Sequence, residues 1–245
     1  MRRFYADERG LTDGVAYLPE EDAHHALRVL RMAVGDECEL FADGGRYACA
    51  VDDITDGQVR LRVTRSLPTT EAGLRITLYQ GLPKAEKLEL IVQKAVELGA
   101  ASVVPVQMSR CVMRLDGRDA AKKTERWQRI AREACKQSGR CLLPEVGLPI
   151  GMKELLSRIP THELTLIPWE DAHTVSLTAI RRKYPEVRDM AVIIGPEGGM
   201  SPEEVEAMER AGGRAVTLGP RILRTETAGM AAMAALLCLY GDMEA

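Results

Sequence analysis

The chain has 245 residues, 46% of them hydrophobic and 28% charged, with a formal net charge of −3. That length holds one large domain, or a small one joined to a medium one, with a normal core that needs no disulfides or metals. The balance excludes low-complexity and collagen-like chains and a general polyanion binder, and no apolar run reaches the ~20 residues that a helix needs to cross a bilayer.

In chain order, a helix is expected first over Asp22–Met32, capped by Asp22, with Ala26, Val29 and Leu30 facing inward. Strands follow at Glu37–Ala42, Arg46–Ile54 and Gln58–Ser66, where Val59, Leu61 and Val63 alternate with polar residues. Asp43-Gly44-Gly45 and Asp56-Gly57 are hairpin turn signals. Short antiparallel strands must close or be covered, so residues 1–70 read as a small β-barrel or sandwich. Ser66–Gly73, polar and carrying Pro68, reads as a linker to a second domain at 74–245.

Beyond Leu74 the chain alternates strand and helix. Strands are expected at Arg75–Gly81, Ser102–Val106, Glu163–Pro168, Met190–Ile194 and Arg214–Leu218. Helices are expected at Ala85–Leu98, Asp119–Ser138, Pro202–Ala211 and Thr225–Leu239. Leu88, Ile91, Val92 and Ala95 form an apolar stripe at helical spacing, as do Trp127, Ile130, Ala131 and Ala134. This alternation predicts an α/β fold with a parallel sheet and helices on both faces. Charge is uneven: Arg110 to Arg140 holds ten Lys/Arg against four Asp/Glu. That stretch is either a basic face for phosphates or a solvated, charge-laced helix.

Six cysteines stand without a C-x-x-C pair, and the four histidines add no zinc-like spacing, so no metal is expected. Scattered thiols and an N-terminus with no apolar signal run predict a cytoplasmic protein.

Two loops carry the chemistry. Met190–Ile194 runs into Gly195-Pro196-Glu197-Gly198-Gly199, and Ser201, Pro202 and Glu204 then mark a capped helix start. The loop therefore lies at the C-terminal edge of a parallel strand, where open α/β sheets bind ligands. It lacks the dinucleotide and triphosphate glycine patterns, and Glu197 would repel a phosphate but suits a cationic or amide-rich ligand. The second loop, Gly219-Pro220-Arg221-Ile222-Leu223-Arg224, sets two apolar residues between arginines. Those residues must cover a flat ligand or plug the core edge.

Ile194–Gly199 paired with Leu218–Ala228 resembles the SPOUT superfamily of methyltransferases, and within it the ribosomal RNA small subunit methyltransferase E family. Lys94–Gly99, Ser109–Cys111, Glu133–Arg140, the Met1–Tyr5 start and His24–Arg31 extend the resemblance along nearly the whole chain. The C-terminal pair is specific and the N-terminal stretches are weaker.

The resemblance implies a SPOUT-type parallel sheet whose C-terminal segment threads a trefoil knot, preceded by a PUA-like β-barrel domain that helps hold RNA. It implies S-adenosylmethionine as methyl donor, N3 of a uridine in 16S ribosomal RNA as acceptor, and a homodimer. Gly195, Glu197, Gly199, Leu218, Gly219, Ile222, Leu223 and Thr227 become candidates for holding the donor. Arg224 is the candidate for stabilising the uracil anion or clamping a phosphate, and Glu226 for accepting the N3 proton, unless Glu226 merely favours the helix dipole. Arg110, Gln137 and Arg140 are candidate RNA contacts, with an internal salt bridge such as Glu133 with Arg110 as the bland alternative; Arg2, Arg3, Arg28 and Arg31 are further candidate RNA contacts, or else ordinary surface charges. Two rival functions stay open, a ribose 2′-O-methyltransferase of the same superfamily and a non-catalytic ribosomal RNA-binding assembly factor.

Overall fold

The computed structural model describes residues 2–172 and 175–243; Met1, part of the resemblance at the N-terminus, lies outside them. The chain divides into two units, Met1–Glu71 with Cys135–Leu143, and Ala72–Ala134 with Pro144–Ala245.

The first unit holds strands β1 (Arg3–Tyr5) and β2 (Val15–Tyr17), helix α1 (Glu20–His24), and strands β3 (Glu37–Ala42), β4 (Gly45–Thr55) and β5 (Gln58–Leu67). They form one sheet in the order β1-β3-β4-β5-β2, parallel only at β1–β3. The sheet's two edges meet where the Asp7 N–H donates to the Tyr17 carbonyl at 2.9 Å. Both hairpins turn on two residues in the left-handed region, Asp43 and Gly44 at φ 50° and 75°, and Asp56 and Gly57 at φ 51° and 80°. That conformation matches the twist of the flanking strands, which is why Asp-Gly marks the turns in sequence. Phe4, Leu40, Cys49, Val51 and Leu61 fill the core. Burial pushes the Cys49 thiol up to about 12 and Cys38 to about 11, so both act as small apolar side chains.

The helix expected over Asp22–Met32 differs in form. It starts at Glu20 behind Pro19 and becomes a wider π-type turn over His25–Val29, closed by Leu30 N–H on the His25 carbonyl at 3.0 Å. The wider turn shifts the face, so Ala26 is buried while Val29, expected inside, is 62% exposed. Arg31 at φ 51° ends the segment.

Glu39 is 3% exposed, with Arg46 Nη2 at 2.8 Å and Arg3 Nε at 3.4 Å. Burial pulls its pKa up, but the Arg46 hydrogen bond and the charges of Arg46 and Arg3 win and hold it below the usual 4.5. A depressed carboxylate pKa stabilises the fold above the unfolded value, and that stabilisation is lost as pH falls through the folded value. Glu39→Gln is therefore expected to cost about 1–3 kcal/mol at neutral pH. In thermal unfolding, the gap from wild type should close as pH drops below 4.5; a gap independent of pH would assign the loss to packing instead.

The second unit opens with β6 (Arg75–Gly81), α2 (Lys87–Glu97), β7 (Ser102–Gln107) and α3 (Gly117–Ser138). Then come β8 (Glu145–Val146), β9 (Ile150–Gly151), α4 (Met152–Arg158), β10 (Leu164–Pro168) and α5 (Leu177–Lys183). It ends with β11 (Asp189–Ile194), α6 (Pro202–Arg210), β12 (Arg214–Val216) and α7 (Thr225–Leu239). The sheet order is β12-β10-β11-β6-β7-β8, with β9 also on β7, and every pairing is parallel. Buried on both faces, β6, β7, β10 and β11 read as near-continuous apolar runs, Met190–Ile194 being an example.

β8, β9, α4 and α5 were not expected. Two-residue strands carry no period, and α4 and α5 span only seven residues each. The expected cap of α6 is present in full. Ser201 Oγ accepts from the Glu204 N–H at 3.3 Å, and Glu204 Oε2 accepts from the Ser201 N–H at 3.0 Å. Glu204 Oε1 also accepts from the Ser109 N–H at 2.7 Å, so the same carboxylate ties the loop after β7 to this cap.

Candidate active site

The C-terminal ends of four neighbouring strands build one cavity. β6 leads to Lys87, β11 to the loop Gly195–Met200, β10 to Trp169 and Glu170, and β12 to the loop Leu218–Arg224. Their side chains and backbone enclose about 380 Å³. That lies within the range of small-ligand sites.

Local chemistry explains the shape. Gly199 and Gly219 sit at φ 70° and 104°, where a side chain would be strained. A Cβ on Gly81 would lie 2.6 Å from the Pro196 backbone nitrogen, so the end of β6 and the loop after β11 touch with no space to spare. Thr225, buried at the start of α7, locks this junction. Its hydroxyl donates to the Gly195 carbonyl at 2.5 Å and accepts from Gln80 Nε2 at 2.8 Å. One hydroxyl thus fixes β6, the glycine loop and α7 together.

Two carboxylates in and beside the cavity converge on one lysine. Lys87 Nζ lies 3.0 Å from Glu197 Oε1 and 3.4 Å from Glu226 Oε2. Glu197 also accepts twice from the Lys84 N–H, at 3.1 and 3.2 Å. Burial raises the Glu197 pKa, but hydrogen bonds from its own N–H, the Lys87 ammonium and the Lys84 N–H hold it below the usual glutamate range. Hydrogen bonding to Glu197 holds the Lys87 ammonium above the usual lysine range. Both carboxylates therefore share one permanent cation.

Most candidates for holding a donor meet here. Gly195, Glu197, Gly199, Leu218, Gly219, Ile222 and Leu223 all line the cavity, as does Arg224, the candidate for stabilising the uracil anion. Ile222 is 81% exposed, so it does not plug the core edge and is free to cover a ligand. Thr227 is not a wall of the cavity; it is exposed on the first turn of α7, and its N–H is already given to the Arg224 carbonyl at 2.8 Å. Glu226 reaches the site through Lys87 rather than as a wall.

Lys87, Trp169, Glu170 and Arg221 line the cavity without having been singled out. Trp169 and Glu170 directly follow an expected strand, which is the one signal that pointed to them.

The cavity suits a nucleoside joined to a cation. Trp169, Leu218, Ile222 and Leu223 offer apolar surface for a flat ring, while Glu170 and Glu197 offer carboxylates to a positive centre. No group of three His, Cys, Asp or Glu that could hold a metal occurs among the described residues.

The candidate RNA contacts are scattered. In the first unit, Arg28 and Arg31 are exposed and make no ion pair among the described residues, and Gln137 is exposed. Arg2 is on Asp36 at 2.9 Å, and Arg3 reaches Glu39. Arg140 is a correction: it is 5% exposed and its Nη2 sits 2.6 Å from Glu71, so it serves the interior of the first unit rather than a surface. Glu71 further accepts from the Cys141 and Leu142 N–H groups at 2.7 and 3.0 Å. In the second unit, Arg110 Nη1 donates to the Gly198 carbonyl at 3.1 Å, placing it at the glycine loop rather than in a pair with Glu133.

Residues 70–237 match a family model described as an RNA methyltransferase domain, and residues 18–64 one described as an RNA methyltransferase PUA domain. The chain is 35% identical over 222 residues to the ribosomal RNA small subunit methyltransferase E of Bacillus subtilis, covering 88% of this chain and 87% of that one. The Mycobacterium bovis protein of the same name is 32% identical, over 99% of this chain and 93% of its own. The crystal structure of the Neisseria gonorrhoeae ribosomal RNA small subunit methyltransferase E bound to S-adenosyl methionine superposes with a TM-score of 0.83, at 36% identity and 98% coverage of both chains.

Proposed function

The chain belongs to the ribosomal RNA small subunit methyltransferase E family, and from that membership we propose that it transfers a methyl group from S-adenosylmethionine to N3 of a uridine in 16S ribosomal RNA. The observation that carries the reading is the single cavity made by four strand ends, apolar for a ring and carboxylate-lined for a sulfonium.

The donor supplies a methyl group already activated on sulfur, so the protein's tasks are alignment and exclusion of water. Backbone of Gly195, Gly199, Leu218, Gly219, Ile222 and Leu223 holds the adenosine part, and Glu197 faces the cationic part. Uridine N3 is a poor nucleophile while it keeps its proton. Glu226, 3.4 Å from the Lys87 ammonium, takes that proton. Arg224, exposed at the cavity wall, stabilises the negative charge left on the uracil oxygens. The N3 lone pair then takes the methyl carbon as its bond to sulfur breaks.

Residues 1–70 form the RNA-holding PUA-like domain and 74–245 the catalytic domain, with Arg2, Arg3, Arg28, Arg31, Arg110 and Gln137 as RNA contacts. The C-terminal segment threads a trefoil knot. Support for this is the path from β12, at the sheet edge, to α7 packed on α2, β11 and β6. The enzyme works as a homodimer in the cytoplasm. Support for the dimer is that Thr225–Leu239 is apolar almost all round, so Met230, Ala231 and Ala234, only half-buried here, gain from a second copy.

The test is methylation of 16S ribosomal RNA by the purified chain, followed by nuclease digestion and mass spectrometry. The expected product is N3-methyluridine at one site. A methylated ribose would favour the 2′-O rival, and no binding of S-adenosylmethionine by calorimetry would favour a non-catalytic assembly factor.

A further inference from the structure

The basic stretch after β7 has a structure of its own. On α3, Ala120, Trp127, Ala131 and Ala134 are buried. The opposite face carries Arg118, Lys122, Glu125, Arg129 and Arg132, all exposed at helical spacing. Arg126 on the flank is already engaged, by Glu86 at 3.2 Å and Glu89 at 2.8 Å. Among the described residues, none of Arg118, Lys122, Arg129 and Arg132 lies within ion-pair distance of a carboxylate, although Glu125 stands one turn before Arg129.

This arrangement works against the helix. Arg118 with Lys122, and Arg129 with Arg132, are like charges on adjacent turns, each pair costing about 0.2–0.5 kcal/mol. Arg118 and Lys122 also stand near the N-terminal end, where the helix dipole disfavours cations. Glu125, one turn from Lys122 and Arg129, and Glu133, one turn from Arg129, offset part of that repulsion, so the four charges bring the fold little net gain. No large hydrophobic side chain is exposed on α3, so the face lacks the apolar anchors of a protein interface.

We infer that this face of α3 is a track for the sugar–phosphate backbone of the RNA substrate, separate from the donor cavity. The inference rests on the reading of an RNA substrate given above. Arg118 to Arg132 spans about 21 Å along the helix axis. That is longer than one nucleotide, so the track holds RNA flanking the target and leaves the reacting base to the cavity. Phosphate contacts position without reading sequence, and their strength falls with salt as counterions are released.

The test measures binding of a 16S ribosomal RNA fragment to the full chain across a series of KCl concentrations. The variant R118Q/K122Q/R129Q/R132Q is expected to reduce the slope of log Kd against log salt by about 3. It should raise KM for RNA about tenfold or more, with kcat at saturating RNA and S-adenosylmethionine affinity within about twofold of wild type. R129Q/R132Q is compared with R182Q/K183Q on α5, which removes the same charge elsewhere. The α3 pair should lower the slope by about 1.5 and the α5 pair hardly at all. An unchanged slope in the fourfold variant, or equal changes in the two pairs, overturns the inference. A wild-type chain that binds the fragment but leaves uridine N3 unmethylated would instead strike the proposed reaction, with the salt slope still readable.

Discussion

Arg224→Ala is expected to lower kcat about a hundred- to a thousandfold while S-adenosylmethionine affinity stays within about threefold. The backbone of Arg224 is fixed by α7, because its carbonyl accepts from the Thr227 and Ala228 N–H groups, both at 2.8 Å. Its side chain is exposed at the cavity wall and makes no ion pair among the described residues. Truncation therefore removes a free cation without disturbing the helix start. The acceptor develops negative charge only as N3 gives up its proton, so the loss belongs in kcat more than in donor binding. Arg224→Lys keeps the charge but loses the planar fork, and should recover part of the rate. Single-turnover methylation with calorimetry on the same samples separates the two steps. Full activity in the alanine variant would remove Arg224 from the mechanism, and a loss confined to donor binding would make it a clamp for the donor.

Gly81→Ala is expected to damage both stability and the cavity. The new Cβ meets Pro196 N and Cδ at 2.6 Å and Gly195 C at 2.8 Å. Two of these three atoms are backbone, so no rotamer relieves the clash. The glycine loop must move away from β6, stretching the hydroxyl link from Thr225 to Gly195. Overpacking of this kind costs about 1–3 kcal/mol, or a melting point lower by about 6–12 °C at the upper end for a chain of this size. Because Gly195 and Pro196 line the cavity, donor affinity should fall about tenfold or more, well beyond any loss at the RNA site. Thermal unfolding and calorimetry of the purified variant check this. Wild-type melting with wild-type affinity would mean the loop shifts freely and that its contact with β6 does not shape the site.

Much of the architecture was legible before any coordinates, for local reasons. Asp-Gly pairs demand positive φ, so both hairpins were placed to within a residue. Ser201, Pro202 and Glu204 spell a helix start in their own hydrogen bonds. The apolar stripes of α2 and α3 repeat over about two turns, long enough for the helical period to show. Where the pattern was short, it failed: β8, β9, α4 and α5 are too brief for a period to show. The π-type turn at His25–Val29 failed differently, since one extra residue in a turn moves Val29 outward without leaving a mark in composition.

The site divides along the same line. The sequence by itself determined the two glycine-bearing loops, the capped helices behind them and the family, because turn chemistry and motif spacing are properties of consecutive residues. Only the tertiary structure decided that β10 lies between β11 and β12, and β6 beside β11, which brings Trp169, Glu170 and Lys87 to the cavity. It also decided that Arg140 turns inward to Glu71 and that Thr225 bridges Gln80 and Gly195. Strand order and these links join residues from 26 to 145 positions apart. Such pairings are selected by the burial and hydrogen bonding of the whole chain, and no window of neighbouring residues encodes them.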